Sequence, residues 1–163
     1  MKKYFIGLVI ILTIFSLVGC DFFAPKEKEF SGAGMTIMLD ESFTQEETVI
    51  VPFYLESFNH IFMGSREEKI LFVGTEIENL QQYIEAVLEY NGNSSAEVNE
   101  SKDGYDYLYA YYTSVVDDIE YGYMMVCMEG EDHYYIMNFG CLNNKLENSK
   151  EQYIEWTNTI TVE

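Results

Sequence analysis

Positive charge is what this sequence has least of. Nine Lys and Arg stand against 28 Asp and Glu, a formal net charge of −19 over 163 residues. That balance excludes nucleic acid as a partner, because phosphate backbones are bound by basic surfaces. It also excludes adhesion to anionic lipid headgroups through a basic patch. Histidine is scarce too, with only His60 and His133, which leaves little material for nucleophilic catalysis of the Ser-His or Cys-His kind. Ser65 lies near His60 in sequence and Asp132 adjoins His133, yet neither grouping has a strand-turn-helix elbow or an oxyanion motif. Carboxylates crowd at Asp40-Glu41, Glu46-Glu47, Glu67-Glu68, Asp117-Asp118 and Glu129-Gly130-Glu131-Asp132. None of these has the D-x-D-x-D-G spacing of a calcium loop, so weak attraction of cations is the reading, with no metal site and no cofactor expected.

No apolar run reaches the roughly 20 residues of a spanning helix. The longest, Tyr4 to Val18, follows Lys2 and Lys3 and stops at Gly19-Cys20. A positive start, a short apolar stretch, then a small residue and a cysteine is the layout of an exported leader. Leu17-Val18-Gly19-Cys20 resembles the lipobox of type II bacterial signal peptides. That resemblance implies a diacylglycerol thioether on Cys20, cleavage just before it, and anchoring at the extracytoplasmic face of the cell membrane. Residues 1–19 are then the signal peptide, 20–29 a lipidated tether with Pro25 and alternating Lys and Glu, and 30–163 one domain. Loss of Lys2 and Lys3 makes the remaining chain more acidic still, so acyl chains alone would hold it at the bilayer.

Only Cys127 and Cys141 remain for disulfide chemistry in an exported chain. With a hairpin turn at 129–132, Cys127 should lie opposite Tyr134 and Cys141 about seven residues further along, roughly 20 Å away, too far to bridge. Two buried free thiols are expected.

Aromatic residues are 16% of the chain, 14 of them tyrosine, enough to build a core and to exclude a disordered acidic tail. Met35, Ile37 and Leu39 alternate with polar or outward residues after Ser31-Gly32-Ala33-Gly34 and read as the first strand. Val49–Leu55 is a weaker strand because of Pro52, and Phe58–Met63 a better one. Thr75-Glu76-Ile77-Glu78 reads as a capping box opening a helix through Ile77, Leu80, Ile84, Val87 and Leu88, closed by Asn91-Gly92. From Ala96 the period becomes two. Turns at Asp103-Gly104, Asp117-Asp118 and Gly130-Glu131 mark a four-strand antiparallel meander. Ser149-Lys150-Glu151-Gln152 reads as the cap of a shorter second helix, and Thr159–Val162 as a last strand.

Strand faces set the architecture. Tyr121, Tyr123, Met125 and Cys127 point one way, Met124, Val126 and Met128 the other, and both sets are apolar. The sheet therefore lies between two helices: an α+β, three-layer α/β/α sandwich with a central, mostly antiparallel sheet of about six strands.

The order of elements resembles the PsbP/Mog1-like fold, and more closely the PsbP-like lipoproteins of Gram-positive bacteria. The residues that carry it are Gly34-Met35-Thr36-Ile37-Met38-Leu39 before an acidic loop, the helix from Thr75, the meander, Phe139-Gly140-Cys141, and Tyr153-Ile154-Glu155-Trp156 before a closing strand. Asp40-Glu41-Ser42-Phe43 stands where such domains commonly have a proline. The resemblance implies a binding or assembly protein without agreed catalytic residues.

Two side-chain groups remain to be weighed. Met124-Met125-Val126-Cys127-Met128 has the soft donors that suit Cu(I), but strand alternation sends them to opposite faces, so core packing is favoured. Tyr105, Tyr107, Tyr109 and Tyr111 form a stripe on one strand face. It is either a binding platform or a half-buried core face with its hydroxyls at the edge, and the core reading is favoured. The expectation is a lipid-anchored, non-enzymatic binding or assembly domain with an envelope protein as partner. A ligand- or divalent-cation-binding lipoprotein stands second and an envelope hydrolase last.

Overall fold

Alternating burial along two long central strands organises the molecule. A computed structural model describes residues 26–102 and 104–163; Cys20 and the segment read as a leader lie outside the described residues. Strands β3 (Thr44–Glu46), β4 (Phe53–Glu56), β5 (Ile61–Glu68), β6 (Val98–Glu100), β7 (Leu108–Val116), β8 (Ile119–Glu129) and β9 (His133–Leu142) form a seven-stranded sheet. Its order is β3-β4-β5-β9-β8-β7-β6, antiparallel throughout. A second sheet of three strands, β1 (Glu27–Gly32), β2 (Met35–Asp40) and β10 (Thr161–Val162), packs over part of it.

Helix α1 (Leu80–Tyr90) covers one face of the large sheet and helix α2 (Asn143–Thr157) the other. On the α1 side, Tyr83, Ile84 and Leu88 meet Ala110, Met125, Cys127 and Tyr134. On the α2 side, Leu146, Tyr153 and Trp156 join Met124, Val126, Met137 and Phe139, and the small sheet adds Phe30, Ile37 and Leu39. The three-layer α+β sandwich anticipated from two-faced strands is the fold. The two short edge strands β3 and β6 bring the central sheet to seven strands.

Several local expectations shift. The first strand begins at Glu27, inside the segment read as tether. Ala33 (φ 50°) and Gly34 (φ 74°) form a two-residue hairpin turn that pairs β1 with β2, so the Ser-Gly-Ala-Gly run is a strand end and a turn. Only Phe30 of β1 is buried, which is why its polar sequence gave little strand signal. The cap of α1 is Asn79, whose side chain accepts the N–H of Gln82 at 3.0 Å. Thr75 instead forms a local turn, donating to the Phe72 carbonyl at 2.7 Å. Helix α2 starts at Asn143, and Ser149 lies inside it with its hydroxyl on the Lys145 carbonyl, 3.0 Å away. It is therefore the longer helix.

The β8–β9 turn is centred one residue later than anticipated. Cys127 faces Ile136, two residues beyond Tyr134, because Gly130 lies opposite His133, its N–H on the His133 carbonyl at 2.9 Å, and Glu131-Asp132 make the turn. Cys127 and Cys141 are both buried and free, and they pack in cores on opposite sides of the sheet.

Candidate functional site

The tyrosine stripe belongs to the α2 side. Strand β7 begins at Leu108, so Tyr105 and Tyr107 precede it. Tyr107 is 3% exposed and its hydroxyl donates to Asn158 Oδ1 at 2.9 Å. Tyr109 and Tyr111 pack against the core below α2, and Lys150 Nζ lies 4.7 Å from the Tyr111 ring centroid. Successive ring centroids are 5.7–6.4 Å apart, so each ring contacts the next. Burial pushes the Tyr107 phenol up to about 12. Tyr105, at 46%, is the exposed end of the row. Three of the four rings thus form the half-buried core face favoured from the alternation pattern.

A second tyrosine set lies on the opposite side, where α1 leaves half of the sheet uncovered. The helix has 11 residues, about 16 Å of rise, and it sits over the lower ends of β7, β8 and β9. The same face carries Tyr112 of β7 at the edge of the α1 cluster and, beyond it, Tyr121 and Tyr123 from β8, Ile61 and Met63 from β5, and Tyr54 from β4, placed there by the register. Tyr112 stacks on Tyr123 at 5.1 Å between centroids and 16° between planes, and its hydroxyl donates to Asn138 Oδ1 at 2.8 Å. Tyr121 lies 6.3 Å from Tyr123. Tyr54 donates to Glu56 Oε2 at 3.2 Å. Tyr54, Tyr112, Tyr121, Ile61 and Met63 are half-buried, each with one side toward solvent.

Gly140 lets the rings of this band lie close to the sheet. A Cβ on Gly140 would stand 2.7 Å from Tyr123 Cε1 and 2.9 Å from Ile61 Cγ1, so the bare backbone lets the Tyr123 ring cross β9 toward β5. On the other face Gly122 does the same for α2, whose Leu146 Cβ would be 2.7 Å from a Cβ there. Exposed Val116, Ile119 and Leu142 border the band at the sheet's end. Burial raises the pKa of Tyr54, Tyr112 and Tyr123, with the Glu56 bond adding to the rise at Tyr54. The band therefore presents neutral phenols and ring faces.

His60 is not brought to Ser65. The His60 ring sits on the α2 side, its Nδ1 3.0 Å from the Tyr153 hydroxyl and its ring edge-on to Tyr153 and Trp156. Burial lowers its pKa, with Asp40 opposing and Lys145 reinforcing the shift. Ser65 faces the α1 side opposite Ile136, so the two are separated by the sheet. His60 instead lines a cleft of about 270 Å³ with Asn59, Cys141 and Lys145, beside a fully exposed Phe58. His133 opens β9 next to the Tyr135 ring. Met125 and Cys127 face α1 while Met124 and Met128 face α2, as alternation requires. Burial pushes the Cys127 thiol up, which keeps it protonated. Among the described residues no three His, Cys, Asp or Glu side chains converge in a way that could hold a metal ion, and no helix is long and apolar enough to cross a membrane.

Sequence reading missed the band. The outward orientation of Tyr121 and Tyr123 was legible from alternation, but both were assigned to a helix-covered face. The signal was helix length: an 11-residue helix cannot cover a strand pair of 9 and 11 residues.

No family model and no curated protein sequence matches the chain. Solved structures do. The chain is similar to cyanobacterial PsbP (CyanoP) from Synechocystis sp. PCC 6803, with 10% identity and a TM-score of 0.58 over 88% of this chain and 96% of that one. It is also similar to the Saccharomyces cerevisiae Ran-binding protein Mog1p, with 11% identity and a TM-score of 0.54 over 85% and 96%. A protein from Bacteroides thetaiotaomicron gives 14% identity and a TM-score of 0.60 over 83% of this chain, which spans 48% of that one. At such identities the shared property is the architecture, and the chain has the PsbP/Mog1-like fold.

Proposed function

We propose that this chain is a lipid-anchored, non-enzymatic binding or assembly domain on the extracytoplasmic face of a bacterial cell membrane. Its partner is another envelope protein, bound on the half of the α1-side face that the helix leaves open. The observation that carries the binding reading is the band of Tyr54, Tyr112, Tyr121 and Tyr123 with Ile61 and Met63. Rigid aromatic area with polar tips, set on a sheet and bordered by exposed Val116, Ile119 and Leu142, is the composition of a protein-binding surface. The separation of His60 from Ser65 by the sheet supports a non-enzymatic role. Anchoring rests on Leu17-Val18-Gly19-Cys20 and on the acidity of the chain, which leaves acyl chains as the means of membrane attachment.

The test is cross-linking in membranes of cells that carry the full chain. One reproducible partner, captured by wild type and lost with Tyr121→Ser, is the expected result. Undiminished capture by Tyr121→Ser, or no capture by wild type, overturns the reading. For the anchor, Cys20→Ser should abolish incorporation of labelled fatty acid and leave the leader uncleaved; a variant labelled and cleaved like wild type refutes it.

A further inference from the structure

We infer that the open band takes the cationic side chains of a basic polypeptide segment, lysine or arginine laid over its tyrosine rings and paired with the carboxylates at its borders. This rests on the binding reading above and names the chemistry of the partner. The first support is the way the molecule uses its own few cations. Lys28 lies over Phe30 at 4.6 Å, Lys69 over Tyr134 at 5.4 Å and Lys150 over Tyr111 at 4.7 Å. Lys69 also pairs with Glu129 at 2.7 Å and Arg66 with Glu163 at 2.9 Å, while Lys145 bonds Asn59 at 2.6 Å. Among the described residues no cation lies over Tyr54, Tyr112, Tyr121 or Tyr123. Tyr112 and Tyr123 stack on each other and Tyr123 is buried, so the half-exposed rings of Tyr54 and Tyr121 are the ones left to a cation from outside.

The second support is charge complementarity. Glu46 and Glu56 stand on β3 and β4 at one border of the band, and Asp117-Asp118 form the β7–β8 turn at the other. Burial raises the pKa of the Tyr54, Tyr112 and Tyr123 phenols, so these add no negative charge to that of the carboxylates. A like-charged partner would be repelled by this border and by the net charge of −19.

The third is shape. The band crosses five neighbouring strands, β4, β5, β9, β8 and β7, about 19 Å at the usual strand spacing. That span matches an extended segment of about six residues better than one small cation.

The experiment uses the full chain in detergent and two labelled octapeptides, one alternating Arg and Ser, the other Glu and Ser, read by fluorescence anisotropy. The Arg peptide should bind and the Glu peptide should not. The double variant Y54S/Y121S should weaken the Arg peptide at least fivefold. Y54F/Y121F, which keeps the rings, and Y105S, which removes an exposed tyrosine elsewhere, should stay within twofold of wild type. Circular dichroism confirms that each variant is folded. Equal binding by Y54S/Y121S and wild type overturns the inference, because the peptide is then held by general acidity. Loss of binding in Y54F/Y121F as large as in the serine variant overturns it too, because hydroxyls rather than ring faces are then responsible. A cross-linked partner that depends on Tyr121 but is not displaced by the Arg peptide refutes the cationic ligand while leaving the binding reading intact.

Discussion

The two faces of the central sheet carry two tyrosine sets with opposite fates. Under α2, Tyr107, Tyr109 and Tyr111 pack on a 15-residue helix and on the small sheet's layer, and Lys150 closes over Tyr111. Under α1, an 11-residue helix stops short, and Tyr54, Tyr112 and Tyr121 keep one side in water. The residue type is the same and so is the strand geometry. What differs is the length of the covering layer, and with it whether a phenol ring contributes to stability or to a surface.

That comparison can be broken most directly at Tyr107. Tyr107→Ala should cost about 3 to 5 kcal/mol in denaturant unfolding, since it empties a buried aromatic site and removes the bond to Asn158. A loss below about 1 kcal/mol would mean that the two sets are energetically alike. Gly140→Ala should cost about 1 to 3 kcal/mol, because the methyl displaces Ile61 and the buried Tyr123 ring. The circular dichroism signal of the stacked Tyr112 and Tyr123 should change with it.

His60 sharpens the α2 side through pH. Its folded pKa lies below its ordinary value of about 6.5, so the unfolded chain binds the proton more readily. Its contribution to stability is intact above about pH 6.5, falls as pH drops below that value, and levels off below the folded pKa. His60→Gln should flatten that part of the stability profile, and an unchanged slope would assign it to other groups. The smallest effect belongs to the open face. Tyr121→Ser should cost less than about 1 kcal/mol, so that any loss of binding it causes is not a loss of fold.

Much of the fold was legible along the chain. The period-two run from Ala96, the Asp117-Asp118 turn with φ of 50° and 63°, and the apolar spacing of Ile84, Val87 and Leu88 announced the meander and α1 through local geometry alone. Helix starts were less legible, because Thr75 and Ser149 can bond to backbone in turns and helix interiors as well as at caps. Strand β1 was hidden because one buried side chain, Phe30, is too little to make a pattern.

The sequence by itself determined the acidity and the two-faced strands, since alternation along a strand needs no partner to be read. Only the tertiary structure decided which tyrosines face water. Exposure on a sheet depends on how far a helix from elsewhere in the chain reaches across it, and the α1 cluster stops short of Tyr54 and Tyr121.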